Sequence, residues 1–446
     1  MHSMFKRLPQ ELNDEILNNL RNDQAALKSC SLACHSFRRI CQKLLFSSIV
    51  IYPPSYKKRW ISTAFQDLLE SSPHLAQYVR YLNIIDRHTA PKISDEWLSK
   101  DTALAACLPL LRNLRGLVIQ YQKYYYYNIP GVWSAMIRSG FVAALDAVLH
   151  LPTFKFLDLT GFPLDLVRYC PNLRHLAIDD PILIKVDLEA GEHPKAQLES
   201  LEVFAHEVYS LQIIPDAETF DYKYPEAFVK LCNENIDITK LRRLHASAEG
   251  CSHAGGHGLL AYIMQECAGT LQELVFSPSN GISWGGESAE TIQWGALRSL
   301  RKFDVSFTWE GTDGGYDYTG PWPWFISACK QLFPSQSPLE EFILHIKYDL
   351  EDDDSFDDEG WPVLLEMLAD LKRFPFLRRV DIQLSAYKDM TTKISSRLLA
   401  LINKTPSAQL NLSVTVLDDI YQSDRYPGLP PLADPQWSKT FFKAWW

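Results

Sequence analysis

No stretch of this chain reaches the ~18 consecutive apolar residues that a membrane-spanning helix needs. Its opening residues, MHSMFKRLPQEL, carry no apolar core of the secretory kind. Both absences lead us to expect a cytoplasmic and/or nuclear protein with no membrane partner. No glycine-rich phosphate loop follows an early strand pattern, and no nucleophile elbow or paired catalytic motif stands out. The expectation is a binding protein, not an enzyme, with no cofactor and no metal. Cysteine is sparse and scattered, nine in 446 residues, which suits a reducing compartment and thiols acting as small apolar side chains. Cations are outnumbered, 44 Lys and Arg against 54 Asp and Glu, for a net charge of −10. Residues 1–60 hold ten basic and four acidic residues, a balance of +6, so residues 61–446 carry −16. An acidic main portion argues against nucleic acid, because phosphate contacts need clustered cations. The basic opening segment either favours an acidic partner or is ordinary surface charge.

Apolar residues are plentiful. They make up 46 % of the chain, with 12 Trp, 20 Tyr and 22 Phe, enough for a sizeable core, and the length suggests two to three domains. One pattern recurs: apolar-x-x-apolar-x-apolar, often after Leu-Arg or Pro-x-Leu. Its central residues are Leu82, Leu117, Leu157, Leu176, Leu201, Leu244, Leu274, Phe303, Phe342 and Val380, spaced 19 to 43 residues apart. Helical patterns precede these strands, among them WISTAFQDLL, PLDLVRYC, PEAFVKLC, AETIQWGAL and WPVLLEMLADLKRF. NLSVTV at 411–416 adds a last, edge strand. Helix then strand, repeated about ten times, implies an α/β fold of parallel strands joined by crossovers. No unit of this size buries its own apolar face, so neighbours must stack. The irregular period resembles a leucine-rich-repeat array with insertions, a curved solenoid with strands concave and helices convex. A doubly wound sheet is the alternative.

Residues 8–46 hold two amphipathic patterns. Leu8, Leu12, Ile16, Leu17 and Leu20 recur at helical spacing behind Pro9 in a first-turn position. After the capping residues Asn22 and Asp23, apolar positions recur at Leu27, Cys30, Cys34, Phe37, Cys41 and Leu44. A piece this small needs another surface to cover its apolar stripes. Leu8-Pro9, Glu11-Leu12, Ile16-Leu17, Leu20, Leu27, Cys30-Ser31-Leu32, Cys34 and Phe46 together resemble the F-box, in particular that of mushroom-type fungal proteins. Phe37 stands where that family usually has Trp. The resemblance implies an all-α docking module for the acidic Skp adaptor of a cullin–RING ubiquitin ligase, with Leu8, Pro9, Glu11, Leu12, Ile16, Leu17, Leu20 and Leu32 at the contact. It further implies a substrate receptor whose solenoid holds an unknown target protein. The alternatives are a helical cap on the solenoid and a leucine-rich scaffold with no ligase role. The domain division that follows is 1–50 for the F-box, 51–75 for a linker and first helix, 76–420 for the solenoid and 421–446 for a terminal cap.

Aromatic and acidic residues crowd the segments read as loops after the strands. Trp284, Trp309, Tyr316, Tyr318 and Trp324 are the expected target-binding rim, since interface hot spots favour Trp and Tyr and inserted loops often mark the binding face. Trp322 and Trp324, beside Pro321 and Pro323, also look like the start of a helix. Seven acidic residues lie between Glu351 and Glu359. They fail the EF-hand template, because Phe356 falls at the fifth position counted from Asp352. Cys251, His253, His257 and Cys267 have zinc-ligand chemistry but match no common spacing.

Overall fold

A computed structural model of the protein describes residues 9–53, 60–87, 97–122, 136, 140–179, 181, 194–204, 223–247, 254–277, 292–310, 322–332, 337–349, 360–370, 372–385, 396 and 410–414. The chain forms two compact units. The first comprises Met1–Leu198 and Tyr209–Asp237, the second Glu199–Val208 and Ile238–Trp446.

The first unit opens with three helices, α1 (Gln10–Asn19), α2 (Gln24–Ala33) and α3 (His35–Leu45). Asp23 caps α2 as its residue type suggests, its side chain accepting from the Ala26 amide at 2.8 Å. Pro9 sits just ahead of α1, not inside its first turn, and its carbonyl accepts from the Leu12 and Asn13 amides. The second amphipathic pattern is broken in two. Cys34 is extended, with φ −148° and ψ 130°, and its carbonyl accepts from the Phe37 and Arg38 amides in the first turn of α3. Leu17, Leu27, Ile40 and Cys41 form the buried centre of the trio, and Leu20, Cys30, Phe37, Leu44 and Leu45 pack around them.

The chain then enters a parallel sheet. β1 (Ser48–Ile51), a strand the sequence reading missed, pairs with β2 (Tyr81–Arg87). β3 (Gly116–Gln122), β4 (Phe156–Thr160) and β5 (His175–Asp179) follow side by side in chain order. Two short strands, β6 (Ala196–Gln197) and β8 (Ile236–Asp237), pair apart from them and were also missed. Two residues are too short to carry a periodic signal. The second unit repeats the arrangement with β7 (Ser200–Phe204), β9 (Arg243–Ser247), β10 (Glu273–Ser277), β11 (Lys302–Glu310), β12 (Glu341–Asp349), β13 (Arg379–Ser385) and β14 (Leu410–Val414), all parallel. The expected edge strand is therefore present. A doubly wound sheet reverses its strand order at a switch point, and among the described residues neither unit does.

The residues chosen as strand centres fall into register. In the first unit Leu82, Leu117, Leu157 and Leu176 stand opposite one another, and Ile49 extends the row. In the second, Leu201, Leu244, Leu274, Phe303, Phe342, Val380 and Leu410 do the same. A one-residue slip would send each of these side chains to the opposite face, so burial itself holds the register. Aromatic rings from the crossovers close over the second unit's row. Trp294 meets Phe276 and Phe303 edge-on, and Phe303 meets Phe342 at 5.9 Å between centroids. Trp322 and Trp361 lie T-shaped at 4.7 Å.

The crossovers differ in kind. α4 (Ile61–Ser71), α5 (Trp97–Lys100), α6 (Thr102–Cys107) and the helices Phe141–Leu149, Lys223–Glu234, Ala254–Glu266, Trp322–Leu332 and Gly360–Ala369 are α-helical. PLDLVRYC, expected as a helix, is a 3₁₀ turn over Leu164–Tyr169, squeezed between Pro163 and Pro171. AETIQWGAL likewise supplies only the turn Trp294–Ala296 among its described residues.

Asp101 caps α6 from a fully buried position, accepting from the Leu104 amide at 2.9 Å. Burial pushes its carboxyl above the usual carboxylate range, against the lowering pull of the Ser62 hydroxyl and the helix amides. A folded-state value above the unfolded one favours the folded chain fully below the unfolded value, and that contribution fades as pH rises through the folded value. Relative to Asp101→Asn, the wild type should therefore gain stability as pH falls from neutral into the acid range, as read by urea unfolding at stepped pH. An unchanged difference would count against the buried carboxyl. Asp101→Ala should cost about 1–2 kcal/mol through loss of the cap, with the cost growing as pH falls.

Candidate partner-binding surfaces

The helical trio buries one stripe of α1 and leaves another open. Residues four apart share a helix face, so Leu12 and Ile16 stand together, 44 % and 53 % exposed. Leu32 on α2 is 89 % exposed. Pro9 and Glu11 are exposed beside them. Leu17 and Leu20 were expected at the same contact, but their positions on α1 turn them inward. Leu17 is only 2 % exposed and Leu20 packs against the core it helps to form. Leu8 lies outside the described residues. Three large apolar side chains thus face water on a small helical trio, each at a hydrophobic cost that a covering partner would remove.

Of the five expected rim residues, Trp309 and Trp324 are among the described residues, on different elements. Trp284, Tyr316 and Tyr318 lie outside the described residues. Trp309 was expected in a loop after Val305, but β11 continues to Glu310 and sets Trp309 opposite Tyr348 of β12. The reason is visible in the alternation, since Phe303, Val305 and Phe307 are all buried and the period of two runs on past the point where the strand was ended. Trp324 lies in the helix Trp322–Leu332, and Trp322 is buried, as the flanking prolines suggest. The acidic run Glu351–Glu359 also falls outside the described residues.

What the sequence reading passed over is the polar side of the strands, the residues between the buried ones. In the second unit Arg243, Glu273, Lys302, Glu341 and Arg379 stand opposite one another across five strands with alternating sign. Lys302 Nζ is 2.6 Å from Glu273 Oε1, and Arg379 reaches Glu341 Oε2 at 3.8 Å and also pairs with Asp381. Beside this row, His245 Nδ1 lies 2.9 Å from Glu202 Oε1 and His345 Nε2 lies 3.3 Å from Asp304 Oδ1. Opposite charges on facing strands support the pairing, and the row leaves no field of one sign. The signal was present in the strand patterns and becomes legible only once register is known.

The thiols of four cysteines are held protonated. Burial pushes Cys107 and Cys267 up to about 12, and raises Cys170 and Cys329 as well. A thiol so shifted carries almost no thiolate at neutral pH and is a weak nucleophile and a weak metal ligand. Cys267 of the zinc-like set is fully buried, and Cys251 and His253 lie outside the described residues. No group of three or more His, Cys, Asp or Glu side chains placed to hold a metal occurs among the described residues. Nor is any described helix long and apolar enough to cross a membrane. No protein-family model matches the chain, and no curated protein resembles it closely enough to count as a match.

Proposed function

We propose that this protein is a substrate-recognition subunit of an SCF-type cullin–RING ubiquitin ligase. The opening helices act as an F-box that docks on the Skp adaptor. The strand–helix units act as a leucine-rich-repeat-like solenoid that holds a target protein. The observation that carries this reading is the pairing of a closed helical core, Leu17, Leu27, Ile40 and Cys41, with the uncovered Leu12, Ile16 and Leu32. A simple helical cap would turn its large apolar residues toward its own chain. Strands that follow one another in chain order, with their apolar centres in register, support the repeat reading. Catalysis in such an assembly is proximity: the receptor raises the effective concentration of target at the transferring enzyme.

The test is capture of purified Skp adaptor. Leu12→Ala, Ile16→Ala and Leu32→Ala combined should weaken capture by about a hundredfold, since central apolar contacts dominate interfaces, while circular dichroism stays at wild type. Full capture by the triple variant would refute the docking assignment and leave the chain a scaffold.

A further inference from the structure

Charge on the helical trio is sorted by helix. α1 carries Glu11, Asp14 and Glu15 and no cation, a balance of −3. α3 carries Arg38, Arg39 and Lys43 and no carboxylate, a balance of +3 with His35 neutral. Both sets face water. Glu11, Glu15, Arg38, Arg39 and Lys43 are exposed, while Asp14 is half-buried and accepts from Gln10 Nε2 at 2.7 Å. Among the described residues no ion pair joins the α1 carboxylates to the α3 cations. The two helices already meet through their inner sides, at Leu17 from α1 and Ile40 and Cys41 from α3, so their outer sides cannot also meet within one chain.

The two charged stripes match in spacing. Glu11 and Glu15 are four apart on α1, and Arg39 and Lys43 are four apart on α3. Each pair spans about 6 Å along its helix. Within either pair the like charges repel. Laid antiparallel, Glu11 would meet Lys43 and Glu15 would meet Arg39. The helix ends favour the same direction, since Glu11 lies in the first turn of α1 and Lys43 in the last turn of α3. Glu11 and Glu15 also stand one position before Leu12 and Ile16, so the acidic stripe runs alongside the uncovered apolar one.

We propose that these stripes join two copies of this chain, with α1 of each copy lying antiparallel on α3 of the other about a two-fold axis. Such an interface is self-complementary and makes every contact twice, which enlarges what one pair of short helices could bury. The aliphatic stems of Arg39 and Lys43 would cover Leu12 and Ile16 while their charged ends reach the carboxylates. An unrelated cationic protein would satisfy α1 and leave α3 unmatched. Nucleic acid or an anionic membrane would satisfy α3 and be repelled by α1. A second copy answers both stripes at once. The dimer does not rest on the proposed function; its consequence, that dimerisation hides the adaptor contact at Leu12 and Ile16, does.

The experiment is sedimentation velocity of the full chain over a concentration series at low salt. The wild type should sediment as a species of about twice the 51.1 kDa chain, and rising salt should dissociate it. Glu11→Lys with Glu15→Lys, and separately Arg39→Glu with Lys43→Glu, should each weaken the dimer by about tenfold or more at unchanged circular dichroism. Mixed one to one, the two variants should regain wild-type affinity, because each reversed helix then meets its reversed counterpart. A wild type monomeric at every concentration, a variant that dimerises as tightly as wild type, or no recovery on mixing would each overturn the proposal. The Arg39→Glu, Lys43→Glu variant, changed away from the adaptor contact, separates the two readings. Adaptor capture by it without any wild-type dimer would sink the self-association alone, and a dimer without capture would sink the ligase reading alone.

Discussion

Leu27→Ala is expected to cost about 2–5 kcal/mol and to loosen the whole helical trio, because Leu27 is 1 % exposed at the centre of a small core. Its neighbours there are Leu17 of α1 and Ile40 and Cys41 of α3, so none can relax into the gap without moving its own helix. Hydrogen exchange across α1 to α3 should accelerate, and adaptor capture should fall as a consequence of lost structure. Five residues further along the same helix, Leu32→Ala should behave in the opposite way. Leu32 is 89 % exposed, so stability should stay within about 0.5 kcal/mol of wild type while adaptor capture drops. Equal loss of stability in the two variants would mean that the inner and outer faces of α2 have been assigned wrongly.

Phe303→Ala is expected to be the most damaging single change in the second unit, at about 3–5 kcal/mol. Phe303 is fully buried, stands in the central apolar row, and touches Trp294 and Phe342 edge-on. Truncation removes a large apolar surface and two ring contacts, and it leaves a cavity between strands that backbone bonds hold at fixed spacing. Urea unfolding followed by limited proteolysis of the second unit measures the loss. Phe376→Ala is the matched control, since Phe376 is 56 % exposed and should change little. A milder overpacking effect is expected at Gly360→Ala, whose Cβ would sit 2.5 Å from the Trp322 ring; the cost is about 1–3 kcal/mol unless that indole shifts. Parity between Phe303→Ala and Phe376→Ala would show that the aromatic row does not hold the unit together.

Much of this fold was legible before any coordinates. Leu82, Leu117, Leu157 and Leu176, and likewise Leu201 through Val380, were marked as strand centres by a short apolar pattern, and they pair centre to centre. That pattern is strong because a strand with a buried face must place apolar residues every second position. β6 and β8 escaped for lack of length, and the end of β11 escaped because its alternation passes through Thr308 and Trp309 into a glycine- and aromatic-rich segment. On the opening helices, periodicity identified the apolar residues but did not divide them into inner and outer sets. Leu12, Ile16, Leu17 and Leu20 all satisfy helical spacing, and only packing against α3 decides that Leu17 and Leu20 go inside.

Local sequence alone determined the kind of element at most positions, since propensity and periodicity act over a few residues and need no distant partner. Tertiary structure decided which residues became neighbours. The alternating row Arg243–Glu273–Lys302–Glu341–Arg379 is assembled from segments 29 to 39 residues apart in the chain. Charge interactions depend on distance in space, and strand register, not chain order, sets that distance.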